Sequence, residues 1–507
     1  MPEGRWIVEP EFMYNPEPAP DKAFSKRACL IHDNILKSIK SDLKDIDIDK
    51  DILNDLDPLF HLVLHTGKKA LSNCNISTIN KERIGTVLAA IALPTDSSSS
   101  ITREIIGKSF EEKLFKNSNF SISKPLTRAQ CLTSRVTSLP ASILAKGLGL
   151  GGGSYTLDAA CASSLYAVKL ACDELHSLRA DAMLAGGVSR PECLYTQVGF
   201  SQLRALSPSG RCAPFDEKAD GLVVGEGAGI LVLKRLEDAL RDNDNIYGLI
   251  RGMGLSNDMS GNLLAPDIEG QVRAMRSAYL SAGWSPCEID LIECHGAGTR
   301  VGDTTELHSL RNLWGESGWS YEQGMIKTFL ALKHKVLPPS INFNKAPEKS
   351  PLKNSPFRVQ TKAEEWIRKN NNRPLRAAVS AFGFGGINGH LLIEEWCPEI
   401  DKHQSAITQT FKTSNPKPVT RNPPPPVAIV GMDASFGRLK SLKDFKETIF
   451  KGSSIIRERP EDRWKGCDNI LTVGEFHMPP NEIPDMLVQH LLMLKVSSNA
   501  MKDVESL

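Results

Sequence analysis

The stretch Thr156-Leu-Asp-Ala-Ala-Cys-Ala-Ser-Ser164 follows an apolar segment and leads at once into the helical pattern of Leu165 to Cys172. This passage through small residues predicts that Cys161 lies at the N-terminus of a helix. The helix dipole and the free backbone N–H groups there are expected to lower the pKa of the thiol and make it a nucleophile. The alternative is that Cys161 is a small buried apolar residue. This segment alone does not decide between the two.

A histidine segment, Glu293-Cys-His-Gly-Ala-Gly-Thr299, follows the apolar run Ile289 to Glu293, which predicts a short buried strand. His295 then leaves the sheet at a strand end, where α/β proteins bind their ligands. The flanking glycines are expected to leave the imidazole ring of His295 accessible at the strand end instead of packed in the core. We assign Asp303 and Glu306, which come next along the chain, a structural supporting role.

A glycine-rich loop, Ala381-Phe-Gly-Phe-Gly-Gly-Ile-Asn-Gly-His390, separates the strand patterns of Leu375 to Ser380 and His390 to Glu394. Such a loop is an ordinary tight turn, or it brings backbone N–H groups against a developing oxyanion.

These three segments, together with Gly225-Glu-Gly-Ala-Gly229 between the first and the second of them, resemble the β-ketoacyl synthase family. Pro2 to Trp6, Ala205 to Asp216 and Leu332 to Pro339 resemble, more narrowly, the ketosynthases of polyketide and polyunsaturated-fatty-acid synthases. The resemblance implies an α/β, thiolase-like fold with two similar halves in α-β-α-β-α layers. It also implies a homodimer, no cofactor and no metal.

The resemblance assigns roles to the segments. Cys161 would take an acyl chain from an acyl carrier protein, and the backbone N–H groups of Cys161 and Phe384 would form the oxyanion hole. His295 would hydrogen-bond the malonyl thioester and stabilise the enolate. Phe384 would guard the acyl pocket as part of a gate with its neighbours Gly383, Gly385 and Gly386.

The chain departs from the family at a second catalytic histidine, which the family carries in an element of the form KxxxGHxxxAAG. Here Leu310 to Gln323 runs directly into Gly324 to Leu332 without that lysine, glycine and histidine, and His334 matches a non-catalytic position. We therefore expect acylation at Cys161 but impaired decarboxylative condensation. The alternative is a non-catalytic partner similar to a chain-length factor. Such factors usually lack the cysteine, so the enzyme lineage is favoured.

Composition agrees with a cytoplasmic enzyme. The 507 residues carry 61 basic and 60 acidic side chains, so we expect no nucleic-acid partner. No apolar run is long enough to span a bilayer, and the start lacks a signal core. The 11 cysteines lack metal-binding spacing and fit reduced cytosolic thiols.

The pattern along the chain predicts four regions. Residues 1–248 are the N-terminal half of a ketosynthase lacking its first strand and helix, and residues 249–399 are the C-terminal half. Residues 400–426 form a Pro-rich linker, and 427–507 begin a second, tandem ketosynthase-like domain. The family's opening strand is expected inside the first sheet, and we predict that Val427 to Val430 docks there to complete the first domain.

Overall fold

The fold is taken from a computed structural model that describes part of the chain. The described residues are 10–77, 79–102, 137–260, 265–315, 323–325, 328–368, 373–398, 447, 493–498 and 501–502. The chain divides into two units, Met1–Phe411 and Lys412–Leu507. The elements below all belong to the first unit.

The described residues of the first unit form twelve α-helices. They are α1 (Pro10–Met13), α2 (Asp33–Ser41), α3 (Lys50–Asp55), α4 (Pro58–Ser72), α5 (Asp96–Thr102), α6 (Leu139–Leu148), α7 (Ser163–His176), α8 (Cys193–Gln202), α9 (Leu236–Arg241), α10 (Ile268–Ala282), α11 (Arg300–Gly315) and α12 (Thr328–His334).

The strands alternate with these helices. They are β1 (Ile84–Ala89), β2 (Ser154–Leu157), β3 (Ala182–Ser189), β4 (Gly227–Leu233), β5 (Leu249–Asn257), β6 (Leu291–Glu293), β7 (Gln323–Met325), β8 (Val336–Leu337), β9 (Phe357–Val359), β10 (Glu364–Glu365), β11 (Arg376–Gly383) and β12 (Ile387–Glu394).

Two large sheets share one pairing pattern. The first has the order β2-β1-β3-β4, in which β1 is parallel to β2 and β3 while β4 is antiparallel to β3. The second has the order β5-β12-β11-β6-β7-β9, in which β6 is parallel to β7 and β11 while β12 is antiparallel to β11. The predicted pair of similar halves is confirmed.

The comparison of the two sheets corrects one expectation. The counterpart of β4 in the second sheet is β12, and β5 pairs antiparallel with its outer side. In the first sheet the four described strands pair without a gap, so a further strand fits only at an edge. The prediction that the family's opening strand is internal to this sheet is therefore wrong. The segment Val427 to Val430 lies outside the described residues.

Helices separate and cover the two sheets. Helix α7 contacts β1 and β3 of the first sheet and β12 of the second, so it lies between them. Helices α4 and α6 pack on the outer face of the first sheet, and α10 packs on β5 and β12. A buried apolar cluster fills each interface, and the central one contains Val168 of α7 with Leu391 of β12. These contacts form the predicted layers.

Local sequence patterns predicted several of these elements. The apolar run Asp181 to Val188 predicts a buried strand, and β3 occupies Ala182–Ser189. The helical pattern of Leu165 to Cys172 lies within α7. The sequence pattern of Leu236 to Arg241 predicts a helix, and α9 has the same bounds. The sequence from Thr102 to Lys116 also has a helical pattern, but almost all of it falls outside the described residues. Within the described part of the chain, no helix has the length and apolar character needed to cross a membrane.

Candidate active site

Cys161 lies in the turn between β2 and α7. The residue before it, Ala160, has a φ of 48°, a left-handed conformation that is uncommon for a residue with a side chain. The carboxylate of Asp158 accepts the N–H of Ala160 at 2.9 Å and that of Ala92 at 2.8 Å. These bonds hold the strained turn and place Cys161 two residues before the first residue of α7.

Ser163, the first residue of α7, closes the same turn. Its buried hydroxyl donates to the carbonyl oxygen of Ala160 at 2.5 Å and accepts the N–H of Ala159 at 2.8 Å. The turn is thus held from the helix side as well as by Asp158, and small residues are needed because the glycine-rich loop packs against it.

That loop joins β11 to β12 and approaches Cys161 through Gly383. A Cβ placed on Gly383 would lie 3.0 Å from both the Cβ of Ala160 and the backbone nitrogen of Cys161. The close approach brings the N–H of Phe384 beside the sulfur of Cys161, where it and the N–H of Cys161 itself act to lower the pKa of the thiol. Two donors therefore converge at the thiol, as an oxyanion hole requires.

The thiol of Cys161 does not have the lowered pKa expected from its place near a helix N-terminus. The residue is exposed at its cavity, but the surrounding protein desolvates the sulfur and raises the pKa above its usual value of 9.0. The nearby charge of Asp158 also raises it, while the N–H groups of Phe384 and Cys161 act in the opposite direction. The prediction failed because desolvation outweighs these donors.

His295 follows β6 in a loop that Glu306 of α11 holds. The carboxylate of Glu306 accepts the N–H of His295 at 2.8 Å and that of Gly296 at 2.9 Å. One turn earlier on α11, Asp303 accepts the N–H of Gly298 at 3.0 Å and that of Phe215 at 2.7 Å. Both carboxyl groups are buried and bond the backbone of the histidine loop.

Burial shifts the titration of all three groups. It raises the pKa of Glu306 to about 7 and that of Asp303 to about 6, although the N–H groups that they accept act to lower both values. It lowers the pKa of His295 to about 4. His295 is therefore neutral at physiological pH and can donate one ring N–H without carrying a charge.

One cavity of about 840 Å³ joins these parts. Cys161, His295 and Phe384 all line it, together with Gly383, Gly385 and Gly386. Its size suits a ligand of several hundred daltons. Phe384 is exposed at the cavity wall, and the ring of His295 packs edge-on against Phe382 with centroids 6.1 Å apart. The structure thus brings the sequence-predicted residues together.

A second histidine does not reach the cavity in the described part of the chain. Among those residues, His295 is the one histidine that lines it. His334 ends α12, is exposed, and is not part of the cavity wall. The cavity therefore offers one histidine donor beside the backbone N–H groups.

Asp258 and Asn388 are site residues to which sequence reasoning gave no role. Asn388 donates to Asp258 at 2.7 Å and to the carbonyl oxygen of Gly386 at 3.0 Å, and the N–H of Asp258 donates to that same oxygen at 2.8 Å. Together they fix the end of the glycine-rich loop. Asn388 stands within the quoted loop, but Asp258 lies 130 positions away and carries no motif.

Two family descriptions match the chain. The N-terminal domain of β-ketoacyl synthase matches residues 5–239, and the C-terminal domain matches residues 247–321. The chain belongs to the β-ketoacyl synthase family. The cavity of Cys161, His295 and Phe384 lies within its fold.

Relatives of this family member occur in large synthases. A component of the polyunsaturated fatty acid synthase of Thraustochytrium sp. is 33% identical over 437 residues, which is 81% of this chain and 21% of that protein. A component of the phenolphthiocerol/phthiocerol polyketide synthase of Mycobacterium tuberculosis is 38% identical over 279 residues, 51% of this chain and 15% of that protein. The chain thus spans about a fifth or less of these relatives.

Solved ketosynthases share the fold. The PfaC keto synthase-chain length factor superposes with a TM-score of 0.82 and 31% identity, over 99% of this chain and 56% of that one. A ketosynthase from module 6 of the bacillaene synthase of Bacillus subtilis 168 gives a TM-score of 0.64 and 28% identity, over 78% of this chain and 66% of that one. The predicted thiolase-like fold is confirmed.

Proposed function

We propose that this ketosynthase accepts an acyl group on Cys161 from the thioester of an acyl carrier protein. The observation that carries the proposal is the convergence of the Phe384 and Cys161 N–H groups on the sulfur of Cys161, within a cavity that His295 also lines. A nucleophile with two donors at the reacting centre is the arrangement needed for acyl transfer.

Loading is an exchange of thioesters. The thiolate of Cys161 attacks the carbonyl carbon of the carrier-bound acyl group, and the two N–H groups stabilise the oxyanion of the tetrahedral intermediate. The intermediate collapses with cleavage of the original carbon–sulfur bond, and the carrier leaves as a thiolate that takes up a proton. The acyl group is then bound to Cys161.

Condensation requires the cavity to stabilise an enolate, which loading does not. A malonyl thioester must lose carbon dioxide, and its thioester oxygen becomes an enolate that His295, neutral and able to donate, would stabilise. The enolate carbon attacks the acyl carbonyl, and the thiolate of Cys161 leaves. With one histidine instead of two, we expect condensation to be slower by about 10²–10³-fold, the cost of one missing donor at such a site.

Intact mass spectrometry of the full chain tests loading and condensation separately. Incubation with octanoyl carrier protein should add one octanoyl group, and Cys161→Ala should abolish the addition. Cys212→Ala is the matched control because Cys212 lines the same cavity, and it should still be acylated. No acylation of the unsubstituted chain would rule out the loading proposal.

Adding malonyl carrier protein to the acylated chain then measures condensation. The β-ketoacyl product should form about 10²–10³-fold more slowly than with a ketosynthase that has both histidines. A comparable rate would show that another group replaces the second histidine.

A second candidate function is that of a non-catalytic partner similar to a chain-length factor. It is supported by the likeness to the keto synthase-chain length factor structure, which extends over 99% of this chain. Under this alternative, Cys161 would resist cerulenin and iodoacetamide, and the chain would change the product length of an active ketosynthase added to it.

The arrangement of regions is also part of the proposal. We propose that residues 1–248 and 249–399 are the two halves of the ketosynthase, that 400–426 are a linker, and that 427–507 begin a second domain of the same kind. A second copy of the chain is the proposed dimer partner. Analytical ultracentrifugation of the full chain tests the proposed dimer, because a single species of monomer mass would exclude it.

A further inference from the structure

A second cavity, of about 690 Å³, lies at the end of β12 that is remote from the glycine-rich loop. Strand β12 begins at Ile387, beside that loop, and ends at Glu394, and the residues that follow it, Glu395 and Trp396, line this cavity. A strand of that length spans about 25 Å. Among the described residues, none lines both this cavity and that of Cys161.

The wall of the second cavity carries an excess of positive charge. Lys333, Lys335 and Arg368 line it, and Glu395 is its one acidic residue within the described part of the chain. Arg368 donates to both carboxylate oxygens of Glu395, at 2.8 and 2.9 Å, and the N–H of Leu375 donates to the same carboxylate at 3.1 Å. Three cations face one carboxylate, which leaves an excess of two positive charges.

The two lysines are held at this wall and remain accessible. The ammonium group of Lys333 lies over the ring of Tyr247, 4.4 Å from its centroid. Lys335 has a φ of 51°, a left-handed conformation that is uncommon for a residue with a side chain, and its carbonyl oxygen accepts the N–H of the buried Trp366 at 2.8 Å. Its side chain is 55% exposed, with the ammonium 3.6 Å from the carboxylate of Glu395. Backbone strain of this kind is common at ligand sites.

This combination of groups favours a particular class of ligand. Two ammonium groups beside a carboxylate that is already paired are complementary to a dianion, and lysine is a common phosphate-binding residue. The aromatic residues Tyr247 and Trp396 line the same cavity, and aromatic side chains stack on nucleobases. The volume is within the range of about 300–1,000 Å³ that is usual for small-molecule sites. A nucleotide satisfies all three conditions.

We propose that this cavity binds a phosphorylated nucleoside, with its phosphate on Lys333 and Lys335 and its base beside Trp396. The same chemistry has two sources: a free nucleoside diphosphate, or the adenosine 3′,5′-bisphosphate end of coenzyme A. The site is separate from the cavity in which Cys161 is acylated, so the proposal does not depend on the loading of Cys161.

Equilibrium dialysis of the full chain with four probes tests the site. The probes are ADP, adenosine 3′,5′-bisphosphate, adenosine and pyrophosphate, and none of them has the pantetheine arm that would enter the Cys161 cavity. ADP or the bisphosphate should bind at least about tenfold more tightly than adenosine or pyrophosphate, because each of the latter lacks one half of the ligand. The tighter of the first two identifies the source. Binding of none of the four would overturn the proposal, as would equal affinities for ADP, the bisphosphate and pyrophosphate.

Substitutions locate the binding in this cavity. Lys333→Met and Lys335→Met should each weaken binding of the tighter nucleotide about tenfold, the effect of one charged hydrogen bond. Trp396→Leu should weaken binding of the nucleotide and leave that of pyrophosphate unchanged. Lys345→Met is the matched control, because the Lys345 side chain is 70% exposed and does not line the cavity.

Nucleotide binding that is the same in both lysine variants and in the unsubstituted chain would overturn the proposal, as would an equal loss in Lys345→Met. The unsubstituted chain decides the matter through the four probes even if a variant does not fold. Acylation of Cys161 by octanoyl carrier protein, measured on the same samples, should be unchanged in Lys333→Met and Lys335→Met. Failure of that acylation in the unsubstituted chain would contradict the proposed loading and leave the nucleotide result unaffected.

Discussion

The carboxylate of Glu306 accepts the backbone N–H of His295 at 2.8 Å. The second oxygen accepts the N–H of Gly296 at 2.9 Å, so one side chain of α11 fixes two successive peptide groups of the histidine loop. Glu306 is 2% exposed, and water cannot replace it. The position of His295 therefore depends on a residue that does not line the cavity.

Replacement of Glu306 by glutamine should disturb His295 and leave Cys161 intact. Glutamine has one acceptor oxygen, so one buried N–H would face an NH₂ group, at a cost of about 1–3 kcal/mol in the free energy of unfolding. We expect a lower rate of malonyl decarboxylation with an unchanged rate of Cys161 alkylation. Glu365→Gln, on the exposed strand β10, is the control. Equal effects of the two substitutions would contradict the role given to Glu306.

The stability that Glu306 and Asp303 contribute should fall as the pH rises from about 4 to 7, while the lowered pKa of His295, about 4, acts in the opposite direction below about pH 6.5. The folded-state pKa values of Glu306 and Asp303 are about 7 and about 6, above their usual values of 4.5 and 3.8. Groups with raised pKa values bind protons more tightly in the folded state. Their stabilisation is complete below the usual values and is lost as the pH passes the folded ones.

Urea unfolding at several pH values measures this dependence. Each group contributes a slope of at most about 1.4 kcal/mol per pH unit. Glu306→Gln removes one titrating group, so the loss in free energy of unfolding that it causes should decrease as the pH rises from about 4.5 to 7, whereas Glu365→Gln should show no such trend. A loss that stays the same between pH 4.5 and 7 would contradict the raised pKa of Glu306.

Local patterns in the sequence were enough to place the catalytic turn and the histidine loop. The change from small residues to a helical pattern after Cys161 matches the start of α7 at Ser163, and the apolar run before His295 contains β6. Both are determined by nearest neighbours in sequence. For that reason the periodicity of a short segment predicts them.

Local sequence patterns could not predict the contacts between segments that are distant along the chain. The bond between Asn388 and Asp258 joins residues 130 positions apart, and only the pairing of β12 with β5 brings them together. The direction of the pKa shift of Cys161 depends on how much protein surrounds the sulfur, and this is decided by the packing of the Gly383 loop. The spacing of residues along the chain predicts neither the contact between Asn388 and Asp258 nor the burial of the Cys161 sulfur.

The alkylation rate of Cys161 should rise steadily with pH. Burial keeps the pKa of the thiol above its usual value of 9.0, so the thiolate is a minor species at neutral pH. Between pH 6 and 8 the rate with iodoacetamide should increase about tenfold per pH unit, because only the thiolate reacts. Peptide mapping identifies the modified residue. A plateau below pH 8 would show a lowered pKa and would restore the original expectation for the helix N-terminus.

The two glycines after Phe384 should differ in their tolerance of alanine. Gly385 and Gly386 have φ values of 88° and 76°, so alanine at either site adds backbone strain of about 1–2 kcal/mol. An added Cβ meets nothing within 4 Å at Gly385, but at Gly386 it would lie 2.7 Å from the Cβ of Asp258. Gly386→Ala should therefore cost a further 1–3 kcal/mol or so, typical of overpacking.

The same pair tests whether Asp258 positions the oxyanion hole. Gly386→Ala must displace either Asp258 or the loop, and the loop carries the N–H of Phe384 that lies beside the sulfur of Cys161. Loss of such a donor lowers the rate of acyl transfer by about 10²–10³-fold. Gly385→Ala, with the same strain and no contact, should keep most of the loading rate. Thermal unfolding and acylation by octanoyl carrier protein are measured on both, and equal loading rates would show that the contact with Asp258 does not position Phe384.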